Sequence, residues 1–284
     1  MTEHSQPISS GEPAKTKTDS GAVDVVIVNW NTAENAIRAA HAFGYSSGVE
    51  TRVKVVDNDS EPDQRRLLKG ADGFELIEAG DNLGFGRAAN LGASTGTAPY
   101  LLVSNADLSP EPGAVVAMVE AARNKEIGLV GPVFDGDQNI YHDNLPSAFV
   151  LLVRTLVGGF GREPIPPPGP GQELSIQQPS GACFLIRRDL WERVGGFDDG
   201  FFLWYEDVDL ARRLHDLGFS SLIVGSARVE HLGGESFAQI SEGRLQQIRL
   251  DSLDRYIKLH HKYLAVIAKP FLWLSRKVRT RGEE

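Results

Sequence analysis

One cysteine in 284 residues leaves the chain unable to form an internal disulfide and suits it to a reducing compartment. Cys183 lies within the apolar run Ala182-Cys183-Phe184-Leu185-Ile186, which makes it a buried structural thiol rather than a nucleophile. Long hydrophobic runs are also missing. The nearest, residues 148–160 and 263–274, are too short to span a bilayer and contain Arg154 or Lys269-Pro270. Residues 1–21 are polar, with no apolar segment of the kind a secretory leader needs, and read as a disordered tail. There is no basic surplus: the net charge of −9 excludes general nucleic-acid binding, which requires a positive surface against phosphate. Zinc-finger spacing, Gly-x-Ser-x-Gly and Walker patterns are absent too.

What is present is an alternation of strand and helix. Short apolar or β-branched runs at 23–29, 52–56, 74–77, 100–103 and 127–133 are separated by helical patterns at 33–43, 62–68, 87–94 and 110–125. That order predicts an α/β fold, a mostly parallel sheet flanked by helices on both faces. Polar tips follow three of these strands: Asp57-Asn58-Asp59-Ser60, residues 80–86, and Asn105-Ala106-Asp107. In such sheets the tips converge at the carboxyl edge, where ligands bind. Asn105 and Asp107 offer hard oxygen ligands for Mg²⁺ or Mn²⁺; the competing reading is a cap on a helix opened by Pro110 and Pro112.

The pattern loosens after Gln138, and the proline-rich residues 162–171 form an exposed loop or linker. Order returns with a strand at 180–187, a helix at 189–194, the aromatic run Phe201-Phe202-Leu203-Trp204-Tyr205 and a helix at 206–217 closed by Gly218. Glu206, Asp207 and Asp209 crowd that helix's first turn, as the helix dipole alone would favour, or as chemistry would require. The aromatics beside them are core, or a stacking wall of the kind carbohydrate and lipid sites use. One further strand precedes His231, which on its own reads as a hydrogen-bonded structural residue.

Beyond Gln239 the chain is helical, and from Arg255 to Arg281 every charged residue is basic, with apolar and aromatic residues interleaved. This segment reads as an anchor to an anionic membrane surface, with Pro270 dividing it into two pieces. The bland alternative is a solvated face packed back on the acidic body.

Taken together and in order, several stretches resemble the inverting glycosyltransferases of family 2, which have the GT-A fold. They are Val25-Val26-Ile27-Val28-Asn29-Trp30-Asn31, Val56-Asp57-Asn58-Asp59-Ser60, Asn82-Leu83-Gly84-Phe85 with Asn90, Asn105-Ala106-Asp107, the run from Gly181 to Arg187, Gly195-Gly196-Phe197-Asp198, Glu206-Asp207-Val208-Asp209 and His231. The rhamnosyltransferase-like branch is the nearest in flavour. The chain departs from the common pattern with Asn105 in place of a first metal-site Asp and Ala89 before Asn90. It also has Gln246 and Arg249 without the Trp of processive synthases.

The resemblance implies a GT-A domain over 22–238, with a nucleotide-sugar half to about 135 and an acceptor half over 179–238, followed by a helical basic segment over 239–284. It implies donor contacts from Asn29, Asn31, Asp57, Asn82, Gly84, Phe85, Asn90, Asn105 and Gly181, with Asp57 accepting from the pyrimidine N3–H. Asp107 with His231 would hold a divalent cation. Asp207 matches the general base, with Glu206 and Asp209 as its fallbacks; Trp204, Tyr205 and Asp209 fall on the acceptor side. The implied reaction moves a sugar, rhamnose first among candidates, from a dTDP- or UDP-type donor to a glycan or polyprenyl-linked acceptor in cell-envelope polysaccharide assembly. The expected location is cytoplasmic, peripheral on the inner face of the cell membrane. A nucleotidyltransferase and a non-catalytic sugar-nucleotide-binding protein are the alternatives; the first would carry a Gly-rich basic loop, which residues 28–31 do not supply.

Overall fold

β-Branched residues dominate the first two strands, β1 (Val23–Asn29) and β2 (Thr51–Asp57), which pair in parallel from Val23 opposite Thr51 to Asn29 opposite Asp57. β3 (Glu75–Glu78) extends the sheet beyond β2, and β4 (Tyr100–Asn105) joins the other side of β1, both in parallel. The helices between them are α1 (Ala33–Gly44), α2 (Pro62–Gly70) and α3 (Phe85–Ser94). The chain's direction of growth therefore reverses at β1, leaving a crevice at the carboxyl ends of β1 and β4. The computed structural model describes residues 21–45, 48–136, 142–157, 165–231 and 239–279; the expected tail and the first part of the proline-rich loop lie outside them.

The second half comprises β5 (Leu108–Pro110), α4 (Ala114–Ala122), β6 (Ile127–Asp135), α5 (Ala148–Val157), β7 (Glu173–Ile176), β8 (Cys183–Arg187), α6 (Arg188–Val194), α7 (Glu206–Asp216), β9 (Ser220–His231), α8 (Glu242–His260) and α9 (Lys262–Arg279). Strands order as β3-β2-β1-β4-β8-β6-β9-β5, with β7 also on β9. The sheet is mixed: β8 runs antiparallel to β4 and β6, and β5 and β7 run antiparallel to β9. An antiparallel β8 starts at the edge where β4 ends. Its lead-in, Gln178 to Ala182, therefore sits beside the crevice.

Residues alternate between two cores. Val25, Ile27, Val53 and Val55 face α1 and α4, whereas Val26, Val56, Leu101 and Val103 face α3, α6 and α7. Burial on both faces is why these strands read as continuous apolar runs. At the amino end of β1, wholly buried Asp24 accepts from Lys54 Nζ at 3.2 Å, Arg188 Nη2 at 2.7 Å and the Ala98 N–H at 2.8 Å.

Two local expectations are corrected. Pro110 does not open a helix but ends β5, at the sheet edge opposite Val229, where a missing N–H is tolerated; α4 begins at Ala114 after Gly113 in the left-handed region. Pro270 lies inside a continuous α9, and the helical run breaks instead at His261. The C-terminal helices pack on the body of the domain: Leu253, Tyr256, Leu264 and Leu272 share a core with Phe201, Tyr205 and Val208. The outer face of α9 stays exposed, with Tyr263 at 94%, Val266 at 76% and Ile267 at 56%. Among the described residues no helix is long and apolar enough to cross a membrane.

Candidate active site

The cleft at the reversal point draws on every strand tip expected to reach it. Trp30 follows β1, Asn58 follows β2, Asn82, Gly84 and Phe85 come from the loop after β3, and Asn105 and Asp107 come from β4 and its tip. Phe202 and Leu203 close the opposite wall. The two walls meet tightly, because the Phe85 N–H donates to the Phe202 carbonyl at 2.9 Å. Gly84 makes this possible: it has φ +79°, and a Cβ there would lie 2.1 Å from that same carbonyl oxygen.

Hydrogen bonds set the shape of the loops. Asn58 Nδ2 donates to Asn82 Oδ1 at 3.1 Å, and its Oδ1 accepts from the Leu83 N–H at 2.8 Å, locking the β2 tip to the β3 loop. Asn29 Nδ2 donates to Asp57 Oδ1 and Ser60 Oγ, both at 3.2 Å, and the Asn31 N–H donates to Ser60 Oγ at 2.8 Å. Asn29, Asn31 and buried Asp57 thus form a knot that joins the tips of β1 and β2 beside cleft-lining Trp30 and Asn58. Asn90 lies elsewhere. Its amide holds the Phe197 carbonyl at 2.9 Å and Asp199 Oδ1 at 3.0 Å, fastening α3 to the turn before the aromatic run.

Asp107 and His231 come together through the antiparallel pairing of β5 with β9, with His231 Nε2 3.2 Å from Asp107 Oδ2. Asp107 Oδ1 is buried and has no hydrogen-bond partner among the described residues. A buried, unsatisfied carboxylate oxygen beside an imidazole is a donor set suited to a hard divalent cation. Among the described residues no three His, Cys, Asp or Glu side chains cluster as a metal site, so these two would need oxygens from a ligand or water to complete a shell.

The aromatic run ends in strain. Trp204 and Tyr205 both have φ +66°, and the other left-handed non-glycine residues among those described are Asn31 and Asp59, at the tips of β1 and β2. Such outliers gather where the backbone is shaped for a ligand. The strained turn delivers the acids that open α7. Glu206 is 6% exposed, and its Oε2 has no partner among the described residues. Burial, and then the neighbouring Asp207, push the Glu206 carboxyl up to about 8, so it is largely protonated at neutral pH. Asp207 Oδ2 accepts from the Gly181 N–H at 3.0 Å and from Gln178 Nε2 at 3.1 Å. The Asn105 N–H donates to the Ala182 carbonyl at 2.8 Å, so a single residue step links the Asp207 support to the cleft.

The residues expected on the acceptor side each have structural partners. Buried Asp209 takes 2.8 Å bonds from Arg213 and lies 2.7 Å from His260 Nε2, tying α7 to α8. Tyr205 packs on Tyr256 with ring centroids 5.5 Å apart. Trp204 is partly buried, with the Arg249 guanidinium 4.7 Å above its ring.

The glycosyl transferase family 2 model matches residues 24–195, well over half of the chain. The chain belongs to glycosyl transferase family 2. This family 2 glycosyltransferase is 30% identical over 233 residues to the N-acetylglucosaminyl-diphospho-decaprenol L-rhamnosyltransferase of Mycobacterium tuberculosis, across 73% of this chain and 75% of the relative. Among solved structures it resembles GalNAc-T7 with UDP, GalNAc and Mn²⁺, with a TM-score of 0.62 and 16% identity over 84% of this chain and 48% of that one. It also resembles the mannosyltransferase PcManGT of Pyrobaculum calidifontis in complex with GDP-Man and Mn²⁺, with a TM-score of 0.59 and 15% identity over 91% of this chain and 72% of that one. The fold of this rhamnosyltransferase-like family 2 enzyme is GT-A.

Motif reading of the family 2 sequence passes over Gln178, whose contact with Asp207 spans 29 positions and has no local signature. Phe202 and Leu203 were legible only as part of an aromatic run. Cys183 behaves as its apolar run predicts: it is fully buried, and burial pushes its thiol up to about 12.

Proposed function

We propose that this glycosyltransferase transfers a sugar, rhamnose first among candidates, from a dTDP- or UDP-type donor to a hydroxyl of a polyprenyl-linked or glycan acceptor in cell-envelope polysaccharide assembly. The observation that carries the mechanism is the Asp207 carboxylate. It is held by the Gly181 N–H one residue from Ala182, whose carbonyl is bonded to cleft-lining Asn105. The resemblance to the mycobacterial rhamnosyltransferase supports the choice of sugar and of a diphospho-polyprenol acceptor.

In this reading the donor lies in the cleft among Asn82, Gly84, Phe85 and Asn105. Asp57 accepts from the pyrimidine N3–H, while the Asn29–Ser60 knot fixes its orientation. The acceptor hydroxyl loses its proton to Asp207 as its oxygen attacks the anomeric carbon from the face opposite the leaving diphosphate, which inverts that centre. Protonated Glu206 cannot itself take that proton, which leaves the role to Asp207. Asp107 and His231 would hold a Mg²⁺ or Mn²⁺ ion, which would neutralise charge on the leaving diphosphate. The residues over 22–135 serve the donor and those over 179–238 the acceptor.

The exposed apolar face of α9, with Lys262 at its start, would rest this enzyme on the anionic inner face of the cell membrane, where a lipid-linked acceptor is found. A thermal-shift panel of nucleoside diphosphates and nucleotide sugars, with Mg²⁺, Mn²⁺ or chelator, tests the donor reading. Pyrimidine diphosphates should raise the melting temperature and purine diphosphates should not. Equal shifts with both would remove Asp57 from base recognition.

A further inference from the structure

We propose that Gln178 is a positioning residue for the transfer reaction: together with the Gly181 N–H it clamps one oxygen of Asp207 and fixes the direction in which that carboxylate points. The inference rests on Asp207 being the base.

The clamp is built on a braced backbone. The Gln178 N–H donates to the Asp143 carbonyl at 3.1 Å, and the Gln178 carbonyl accepts from the Asp143 N–H at 3.0 Å. The Leu145 N–H donates to Gln177 Oε1 at 3.0 Å. The Ser180 N–H donates to Nδ1 of His142 at 3.1 Å, so Nε2 of that ring carries the proton and donates to the Pro132 carbonyl at 2.9 Å. Burial holds the His142 imidazole down to about 4, which keeps it neutral and this tautomer in place at ordinary pH. Residues 177–180 are thereby strapped to 142–145, and His142 in turn ties the strap to β6.

From this base the side chain of buried Gln178 reaches Asp207 Oδ2 at 3.1 Å, and the Gly181 N–H reaches the same oxygen at 3.0 Å. A carboxylate oxygen repels the oxygen of an amide, so the NH₂ of Gln178 must face it. Only glycine allows the second donor this close: a Cβ on residue 181 would lie 2.7 Å from Asp207 Cβ. With the Val208 N–H on Oδ1 at 2.8 Å, these two donors on Oδ2 hold the carboxylate against rotation and favour its charged form. That support acts against the other titratable group beside it, buried Glu206, whose ionisation would favour protonation of Asp207.

The test is the titration of the Asp207 carboxyl carbon in ¹³C-aspartate-labelled full-length chain, with its resonance assigned by its loss in Asp207→Asn. No substrate is needed. In Gln178→Met the Asp207 midpoint should rise by about one pH unit, since a donor to the charged form is lost. In Gln178→Glu, which is close to isosteric and carries the test if the methionine variant unfolds, it should rise further, because adjacent carboxylates resist joint ionisation. The acid limb of kcat/KM for sugar transfer should move with the midpoint, leaving donor affinity unchanged. An unmoved midpoint, with Asp207→Asn inactive, overturns the clamp alone. Parent-like turnover in Asp207→Asn overturns the base assignment and this proposal with it.

Discussion

Replacing Glu206 by glutamine should change how stability depends on pH. The carboxyl is raised from 4.5 to about 8 by burial and by Asp207, so the folded protein keeps a proton that the unfolded chain releases above pH 4.5. Stability therefore falls as pH rises through this window, because the folded state binds more protons than the unfolded one. Linkage arithmetic at 1.36 kcal/mol per pH unit gives a loss of about 2 kcal/mol between pH 6 and pH 8, and about 4 kcal/mol in all by pH 8. Glutamine fills the same volume and cannot ionise, so it removes this slope. On a domain of this size, 2 kcal/mol corresponds to roughly 4–8 °C in Tm. Melting curves of parent and Glu206→Gln from pH 5 to 8.5 should draw apart with rising pH, the variant losing less. Curves that stay parallel throughout would mean that Glu206 ionises alike in both states, and would refute a neutral Glu206 beside Asp207.

Other consequences follow from the same contacts. Asp107→Ala should abolish chelator-sensitive donor binding in calorimetry and His231→Ala should weaken it less; binding indifferent to chelator in the parent would rule out the cation. Asp24→Asn should destabilise the fold by about 3–5 kcal/mol in denaturant melts, because it strands Lys54 and Arg188. Donor affinity of the folded protein should persist, since Asp24 opens β1 at the end opposite the cleft; a loss of affinity without a loss of stability would contradict that placement. Changing Tyr263, Val266 and Ile267 together to serine should reduce co-sedimentation with anionic vesicles while donor hydrolysis continues. Equal sedimentation would leave α9 a structural role only. These outward residues are a better probe than truncation, which would also strip Leu264 and Leu272 from the core.

Much of this could be read from the sequence because burial on both faces writes itself as uninterrupted apolar residues. β1, β2 and β4 are legible for that reason, and their polar tips for the converse one. β5 and β7, of three and four residues, are too short to leave a period, and Pro110 was misread because an edge strand tolerates what a central one cannot. The direction of β8 depends on how the chain returns from α5 and β7, which no local pattern encodes. At the candidate site, Asp107, His231 and Asp207 stand out by residue type and neighbourhood. Asn90 and Asp209 do as well, and their tertiary partners have no local signature: Phe197 and Asp199 in one case, Arg213 and His260 in the other. The successive left-handed φ values of Trp204 and Tyr205 have no sequence signature, since neither is a residue type that favours them.

The most direct test of the account is turnover by Asp207→Asn with dTDP-L-rhamnose and an N-acetylglucosaminyl-diphospho-polyprenol, beside the parent and a panel of UDP-sugars. The parent should form the glycosylated lipid with inversion from one pyrimidine donor. The variant should bind that donor normally and turn over roughly 10²–10⁴-fold more slowly. Turnover by Asp207→Asn close to that of the parent would contradict the central claim that this carboxylate takes the acceptor's proton.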